Sequence, residues 1–119
     1  MKYTITLAPL ILLAACLSPN TPNQLIEAGP GSTYLSNKES GTVAKCIAKK
    51  WEEATRYGAP IVNFRETETG HRVTLHALND LRYVADIDNI ITGSRTKLYI
   101  GRVSSYGTNA QIKDVSECQ

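Results

Sequence analysis

The hydrophobic pattern of the chain changes its period at Pro60, and this change constrains the fold more than any other feature of the sequence. Residues 42–57 place apolar side chains on one stripe of a 3.6-residue repeat, which predicts an amphipathic helix. After Pro60, apolar and polar residues alternate, which is typical of half-buried strands. The predicted strands are 61–66, 72–78, 83–88 and 95–103.

The four strands are expected to form two consecutive hairpins, because short turn-rich segments separate them. In the first hairpin, Val62 lies opposite Leu75 and Phe64 lies opposite Val73. In the second hairpin the loop has either two or six residues. For both lengths the numbers of two paired residues add up to an odd number, so this parity determines which side chains share a face. One face holds Tyr83, Ala85, Ile87, Thr96, Leu98 and Ile100, and the other holds Val84, Asp86, Asp88, Arg95, Lys97 and Tyr99.

A second, weaker helix is predicted over 108–118, where Ile112 and Val115 form a short apolar stripe. So short a helix needs tertiary packing to be stable. An antiparallel sheet with one apolar face needs a cover, which the two helices can provide. We therefore predict a two-layer α+β domain over residues 42–119, built from a helix, a four-stranded antiparallel meander and a second helix.

The amino terminus has the composition of a secretory signal peptide. Lys2 gives a positive start, residues 4–13 form an apolar run, and Ala14 and Ala15 are small residues at the end of that run. The run is shorter than the ~18 residues that a transmembrane helix needs. We therefore predict that residues 1–15 are removed from the exported chain.

Residues 13–16 (LAAC) resemble the lipobox of bacterial lipoproteins. The resemblance implies cleavage before Cys16 and acylation of Cys16, which would anchor the chain to a membrane. Leu17 at the next position, where an aspartate would retain the chain in the inner membrane, implies the outer membrane, with the domain facing the periplasm. Residues 41–54 (GTVAKCIAKKWEEA) and the cysteine near the carboxyl terminus are also similar to small outer-membrane lipoproteins of Gram-negative bacteria, a group with no known activity to carry over.

Residues 16–41 are predicted to be a lipidated cysteine followed by a flexible tether, because proline, glycine and small polar residues occur there without sustained periodicity. Since the lipobox resemblance assigns Cys16 to lipid, Cys46 and Cys118 are left to form a disulfide. That disulfide would close a loop of about seventy residues and stabilise the domain by ~4 kcal/mol.

Two aspartates on one predicted strand are the candidates for catalysis. Asp86 and Asp88 lie on the same face, ~6.5 Å apart along the strand, a spacing that could serve the paired carboxylates of a glycoside hydrolase. Their predicted cationic neighbours Arg72, Arg95 and Lys97 would lower the pKa of both acids, whereas a general acid needs a raised pKa. We therefore predict that the chain is not an enzyme. The alternative is a small cell-wall glycan hydrolase that uses Asp86 and Asp88.

Metal, cofactor and nucleic-acid partners are not expected. His71 and His76 are five residues apart on one predicted strand and so point to opposite faces, where they cannot share a metal ion. No cofactor-binding motif is present in the sequence. Removal of Lys2 with the signal peptide lowers the formal net charge from +2 to +1, whereas nucleic-acid-binding domains usually carry a clustered basic surface. We expect a monomer.

The polar face of the predicted sheet is the best candidate for a binding surface, because arginine and tyrosine on a rigid sheet are typical of interfaces. The candidate residues are Arg65, Arg72, His76, Asp86, Asp88, Arg95, Lys97 and Tyr99. The predicted cross-strand rows are Arg65, Arg72, Asp88 and Arg95; Asn63, Thr74, Asp86 and Lys97; and Ile61, His76, Val84 and Tyr99.

Ile90 and Ile91 either continue the second hairpin or form an exposed apolar tip, which would suggest a partner. The sequence as a whole predicts a lipid-anchored, non-enzymatic periplasmic domain that binds a protein or an envelope glycan. An inhibitor or immunity protein is a more specific form of this hypothesis.

Overall fold

A computed structural model describes residues 21–53, 61–77, 80–101 and 108–119 of the chain. Within these residues an antiparallel sheet packs against helices, so the predicted α+β fold is confirmed. The helices are α1 (Pro22–Glu27), α2 (Ser40–Glu53) and α3 (Thr108–Glu117). The strands are β1 (Ser32–Ser36), β2 (Ile61–Glu66), β3 (Gly70–Ala77), β4 (Asp80–Ile90) and β5 (Gly93–Ile100), in the sheet order β1-β5-β4-β3-β2.

Helix α2 packs its apolar stripe against one face of the sheet, as its periodicity predicts. Val43, Ile47 and Trp51 are fully buried there, whereas Lys45 and Lys49 on the opposite side of the helix are exposed. The Trp51 indole N–H donates a hydrogen bond of 3.3 Å to the backbone oxygen of Gln111 in α3. Trp51 is therefore a core residue that joins the two helices of this layer.

Both predicted hairpins have the expected facing residues. Val62 pairs with Leu75 in the first hairpin, and Ala85 pairs with Leu98 in the second. Ile90 pairs with Gly93 and so continues the second hairpin, whereas Ile91 is fully exposed at its tip. The apolar face is buried against α2 through Val73, Leu75, Tyr83, Ala85, Ile87 and Leu98.

The register between β3 and β4 differs from the predicted rows by two residues. Asp86, not Asp88, lies opposite Arg72, and Asp88 lies opposite Gly70. A shift of two residues leaves every side chain on its predicted face, so alternation alone cannot detect it. At Gly70 the strands approach so closely that a Cβ atom would come within 2.0 Å of the Ile87 oxygen, and glycine therefore permits the observed register.

The predicted tether is wrong where residues 22–27 form α1, residues 32–36 form β1 and residues 40–41 begin α2. Strand β1 pairs with β5, so the sheet has a fifth strand beside the predicted four-stranded meander. Helix α1 packs on the sheet face opposite α2, where Leu25 is 2% exposed. The predicted two-layer arrangement is therefore incomplete, because a short helix also covers part of the second face of the sheet. A helix of six residues is too short to show a helical repeat, and β1 (STYLS) does not alternate apolar and polar residues.

A disulfide joins Cys46 in α2 to Cys118, which follows α3, and confirms the predicted pairing. The last residue, Gln119, continues this connection to the sheet: its backbone oxygen accepts a hydrogen bond from the Ser36 hydroxyl, and its side-chain oxygen accepts one from the Thr96 hydroxyl. The carboxyl terminus is thereby tied to α2, β1 and β5.

The predicted signal peptide (1–15) and the predicted lipidation site Cys16 lie outside the described residues. The same holds for the parts of the predicted elements that fall on residues 54–60, 78–79 and 102–107. Among the helices that are described, none is both long enough and apolar enough to cross a membrane.

Replacing Leu25 by alanine is expected to lower the free energy of unfolding by about 2–3 kcal/mol, because it would leave a cavity beneath α1. Chemical denaturation measures the change. Glu27→Ala, at an exposed position of the same helix, is the control and should have little effect. Equal stability of Leu25→Ala and the wild type would show that α1 does not belong to the folded domain.

Replacing Cys46 and Cys118 together by alanine is expected to lower the free energy of unfolding by about 4 kcal/mol, because the unfolded chain regains the entropy of a loop that spans 72 residues. The measurement is denaturant unfolding with and without a thiol reductant. The reductant should destabilise the wild type by a similar amount and leave the double variant unchanged. A wild type that is insensitive to reduction would contradict this role of the disulfide.

Candidate functional site

The candidate site is the polar part of the sheet face opposite α2, which we call the polar face. It consists of Arg65 on β2, Arg72 on β3, Asp86 and Asp88 on β4, and Arg95 and Lys97 on β5. The pairing register places Arg65, Arg72, Asp86 and Lys97 in one cross-strand row and Asp88 and Arg95 in the next. The structure therefore brings together six of the eight predicted binding residues, in rows that differ from the predicted ones.

The other part of this sheet face lies under α1. Its residues Val84 and Tyr99 were predicted to face solvent, but they are buried. Val84 and Tyr99 are 0% and 5% exposed, and both pack with Leu25 of α1 and with Leu81. His76 is half-buried beside this apolar cluster. Tyr99 is therefore a packing residue at the border of the polar face, because the segment predicted to be a tether folds over it.

A bidentate ion pair lies at the centre of the polar face. Arg72 Nε is 2.5 Å from Asp86 Oδ1, and Arg72 Nη2 is 3.0 Å from Asp86 Oδ2. The two side chains are only 13% and 16% exposed. The hydrogen bond from Arg72 to Asp86 raises the pKa of the guanidinium. The pair is held in one geometry, since two parallel N–H···O bonds define both distance and orientation.

The carboxylate of Asp88 also has a hydrogen-bond partner, since it accepts a hydrogen bond of 2.5 Å from the Thr69 hydroxyl. A general acid of a glycoside hydrolase needs burial away from cations and donors, so that its protonated form is favoured. Asp86 instead accepts two hydrogen bonds from a guanidinium. These contacts give no support to the hydrolase alternative with Asp86 and Asp88.

The phenol of Tyr99 has a raised pKa, mainly because the side chain is buried and also because Asp86 and Asp88 lie nearby. Arg72 opposes this effect only in part. Tyr99 therefore stays neutral at physiological pH, and the charges of the polar face come from its arginine, lysine and aspartate side chains.

An open cavity of about 380 Å³ lies where the polar face meets the start of α1. It is lined by three of the binding residues predicted from the sequence, Arg65, Arg72 and His76. Thr21 and Asn23 also line it, although neither was predicted as a site residue, because both belong to the segment predicted to be a tether. The one local signal for this helix is Thr21-Pro22, since threonine caps helices and proline is favoured at the first helical position. The described lining is Thr21, Pro22, Asn23, Asn63, Arg65, Arg72, Thr74 and His76.

A second groove, of about 630 Å³, lies between the start of α2 and the tip of the β4–β5 hairpin. There the Ser40 hydroxyl lies 2.8 Å from His71 Nδ1, and Glu66 lies 4.0 Å from His71 Nε2. Ser40 is only 1% exposed, and its backbone N–H donates to the side chain of Asn89. This burial makes the serine a poor nucleophile for any bound substrate, so we interpret the pair as a structural contact that positions the start of α2.

Separate and combined alanine substitutions of Arg72 and Asp86 should reveal a coupling energy of about 2 kcal/mol in a double-mutant cycle, because each single substitution leaves a half-buried charge without its partner. Denaturant unfolding of the four proteins gives this value. The Lys50–Glu117 pair between α2 and α3, 2.9 Å apart but more exposed, is the control and should couple more weakly. Equal coupling in the two pairs would show that the central pair is an ordinary surface contact.

Comparison of the chain with protein-family models, with curated proteins and with solved structures finds no match. The residues and geometry of the polar face are therefore the basis for inferring its function. Its strongest elements are a fixed ion pair at the centre, cationic side chains around it, and a polar cavity at the edge next to α1.

Proposed function

We propose that this chain is a lipid-anchored lipoprotein of the outer membrane whose periplasmic domain binds an envelope protein or glycan on the polar face without catalysing a reaction. The observation that carries the proposal is the excess of cations on that face, where four cationic side chains occur with two aspartates. Arg72 and Asp86 neutralise each other. Among the residues that the structure describes, three further cationic side chains of the face have neither an ion-pair partner nor a hydrogen bond: Arg65, Arg95 and Lys97.

Unpaired cations on the polar face favour a partner that carries negative charge. Arg65 and Arg95 are exposed, and both project from paired strands of a sheet. Because the strands hold the backbone in place, binding does not have to order the main chain, and the conformational entropy cost is limited to the side chains. An acidic protein surface and an anionic glycan both meet this requirement. An inhibitor or immunity protein that blocks an envelope-directed hydrolase is the protein-binding form of the proposal.

The disulfide supports an oxidising compartment such as the periplasm, because disulfides are rare in reducing compartments. The lipid anchor rests on the lipobox resemblance at residues 13–16. Since α1 begins at Pro22, only residues 17–21 separate the proposed lipidated Cys16 from the fold. Fully extended, they reach ~17 Å. The domain would therefore be held close to the bilayer surface. Because α1 packs on the sheet face opposite α2, the anchor would be attached on the side of the sheet that carries the polar face.

Intact-mass analysis of the membrane fraction is expected to show loss of residues 1–15 and addition of acyl chains to Cys16. The control is Cys16→Ser, which should abolish acylation because serine lacks the thiol that is modified. Recovery of the full-length, unmodified chain from the soluble fraction would contradict the anchor.

Reversal of two cations, Arg95→Glu together with Lys97→Glu, is expected to abolish retention of the envelope partner, because both side chains would then repel an anionic surface. The measurement is saturable co-purification of one envelope component with the full chain from membranes of expressing cells. The matched control reverses Lys45 and Lys49, two exposed cations on the far side of α2.

Thermal unfolding of both variants establishes that any loss is not caused by misfolding. If the polar-face variant retained the same component as strongly as the control did, the polar face would not be the binding surface. Retention of no component by the wild type would contradict the binding function itself.

A further inference from the structure

The cavity beside α1 is lined by polar side chains that have few partners within the protein. Among the described residues, the side chains of Asn23, Asn63, Arg65 and His76 make no hydrogen bond or ion pair. They come from α1, β2 and β3, so three separate elements bring them together. Such a set of convergent polar groups is typical of a ligand-binding site.

Thr74 adds a hydroxyl group to the wall of the cavity. Its side chain lies between those of Arg72 and His76 on the same face of β3, and the residue is 6% exposed. Among the residues that the structure describes, its hydroxyl has no hydrogen-bond partner. The hydroxyl is not one of the fully buried polar atoms without a partner, which among the described residues belong to Ser94 and Gln111, so it is accessible from the cavity to water or to a group of a ligand. The cavity that Thr74 lines provides space for such a group.

The charge of the cavity is positive. None of the described lining residues is acidic. Asp86 binds Arg72 through Nε and Nη2, which leaves Nη1 of Arg72 available for another acceptor. Arg65 has no such carboxylate partner, so its full charge is available to a ligand.

We propose that this cavity binds an acidic sugar, with the carboxylate or phosphate group of the ligand at Arg65 and its hydroxyl groups at Asn23, Asn63 and Thr74. The inference rests on the proposed binding function and names the class of ligand that the polar face accepts. Guanidinium groups match the geometry of carboxylate and phosphate oxygens. Amide and hydroxyl side chains both donate and accept, as the hydroxyl groups of a sugar require.

The size of the cavity supports a sugar unit over a larger ligand. At about 380 Å³ it lies at the lower end of the range for small-molecule sites, roughly 300–1,000 Å³. It is an open cavity whose lining includes Arg65 and Arg72 of the polar face, so a sugar unit could remain part of a longer glycan that crosses the cationic rows. The mixture of amide, hydroxyl and guanidinium groups also fits a sugar acid better than a simple inorganic anion, which would use the charge alone.

The test is calorimetric titration of the purified full chain with glucuronate, glucose 1-phosphate, glucose and inorganic phosphate. Saturable binding of at least one of the two acidic sugars, with at least ~10-fold weaker binding of glucose and of inorganic phosphate, is expected. Arg65→Gln should weaken binding of the acidic sugar by ~10-fold or more, because it removes a charge-assisted hydrogen bond. Thr74→Val, which keeps the shape of the side chain, should weaken binding several-fold.

Lys49→Gln, which removes one charge from the solvent side of α2, is the matched control and should bind as the wild type does. Thermal unfolding shows that each variant is folded. Comparison of glucuronate with glucose 1-phosphate identifies which acidic group the cavity prefers.

Equal binding of glucose would overturn the role of charge, and equal binding of inorganic phosphate would overturn the role of the sugar hydroxyls. Absence of saturable binding of both acidic sugars would overturn the proposal for the cavity. If neither acidic sugar bound but the chain still retained an envelope partner through Arg95 and Lys97, the proposed function would stand without the cavity proposal. A partner protein whose retention is unaffected by Arg65→Gln and by excess acidic sugar would likewise overturn the cavity proposal alone.

Discussion

The disulfide between Cys46 and Cys118 is the constraint on which the rest of the domain depends. Small domains bury too little surface to be very stable, so a covalent connection across 72 residues is a large contribution. It holds the end of α3 on α2, where Val115 completes the core. It also brings Gln119 to β1 and β5, where its hydrogen bonds join the helical layer to the sheet edge opposite β2.

Helix α1 determines which part of the second sheet face is buried and which part is exposed. Leu25 covers Leu81, Val84 and Tyr99 and so removes part of that face from solvent. The uncovered remainder carries the Arg72–Asp86 pair and the unpaired cations, and the cavity lies at the border between the two regions. The candidate site therefore depends on α1 as well as on the strands, because α1 covers one part of this sheet face and so defines where the polar face ends.

Several features of the site could be predicted from local sequence. The alternation in β4 and β5 places Asp86, Asp88, Arg95 and Lys97 on one face whether the loop has two or six residues, and the structure agrees. The identity of the partner across β3 could not be predicted in this way, since a two-residue shift preserves every face. The observed choice of Asp86 opposite Arg72 depends on how β3 and β4 approach at Gly70, which is a tertiary contact.

Sequence alone determined the elements with a strong repeat: the apolar stripe of α2, the parity of both hairpins, and the pairing of Cys46 with Cys118 once Cys16 was assigned to lipid. Each depends on a pattern along the chain or on a small set of alternatives. The tertiary structure alone decided that residues 22–36 join the fold, that Tyr99 is buried, and that Asn23 meets Arg65 at a cavity. Short elements such as α1 and β1 gain their stability from surfaces that exist only after the sheet has formed, and so they leave little trace in the local sequence.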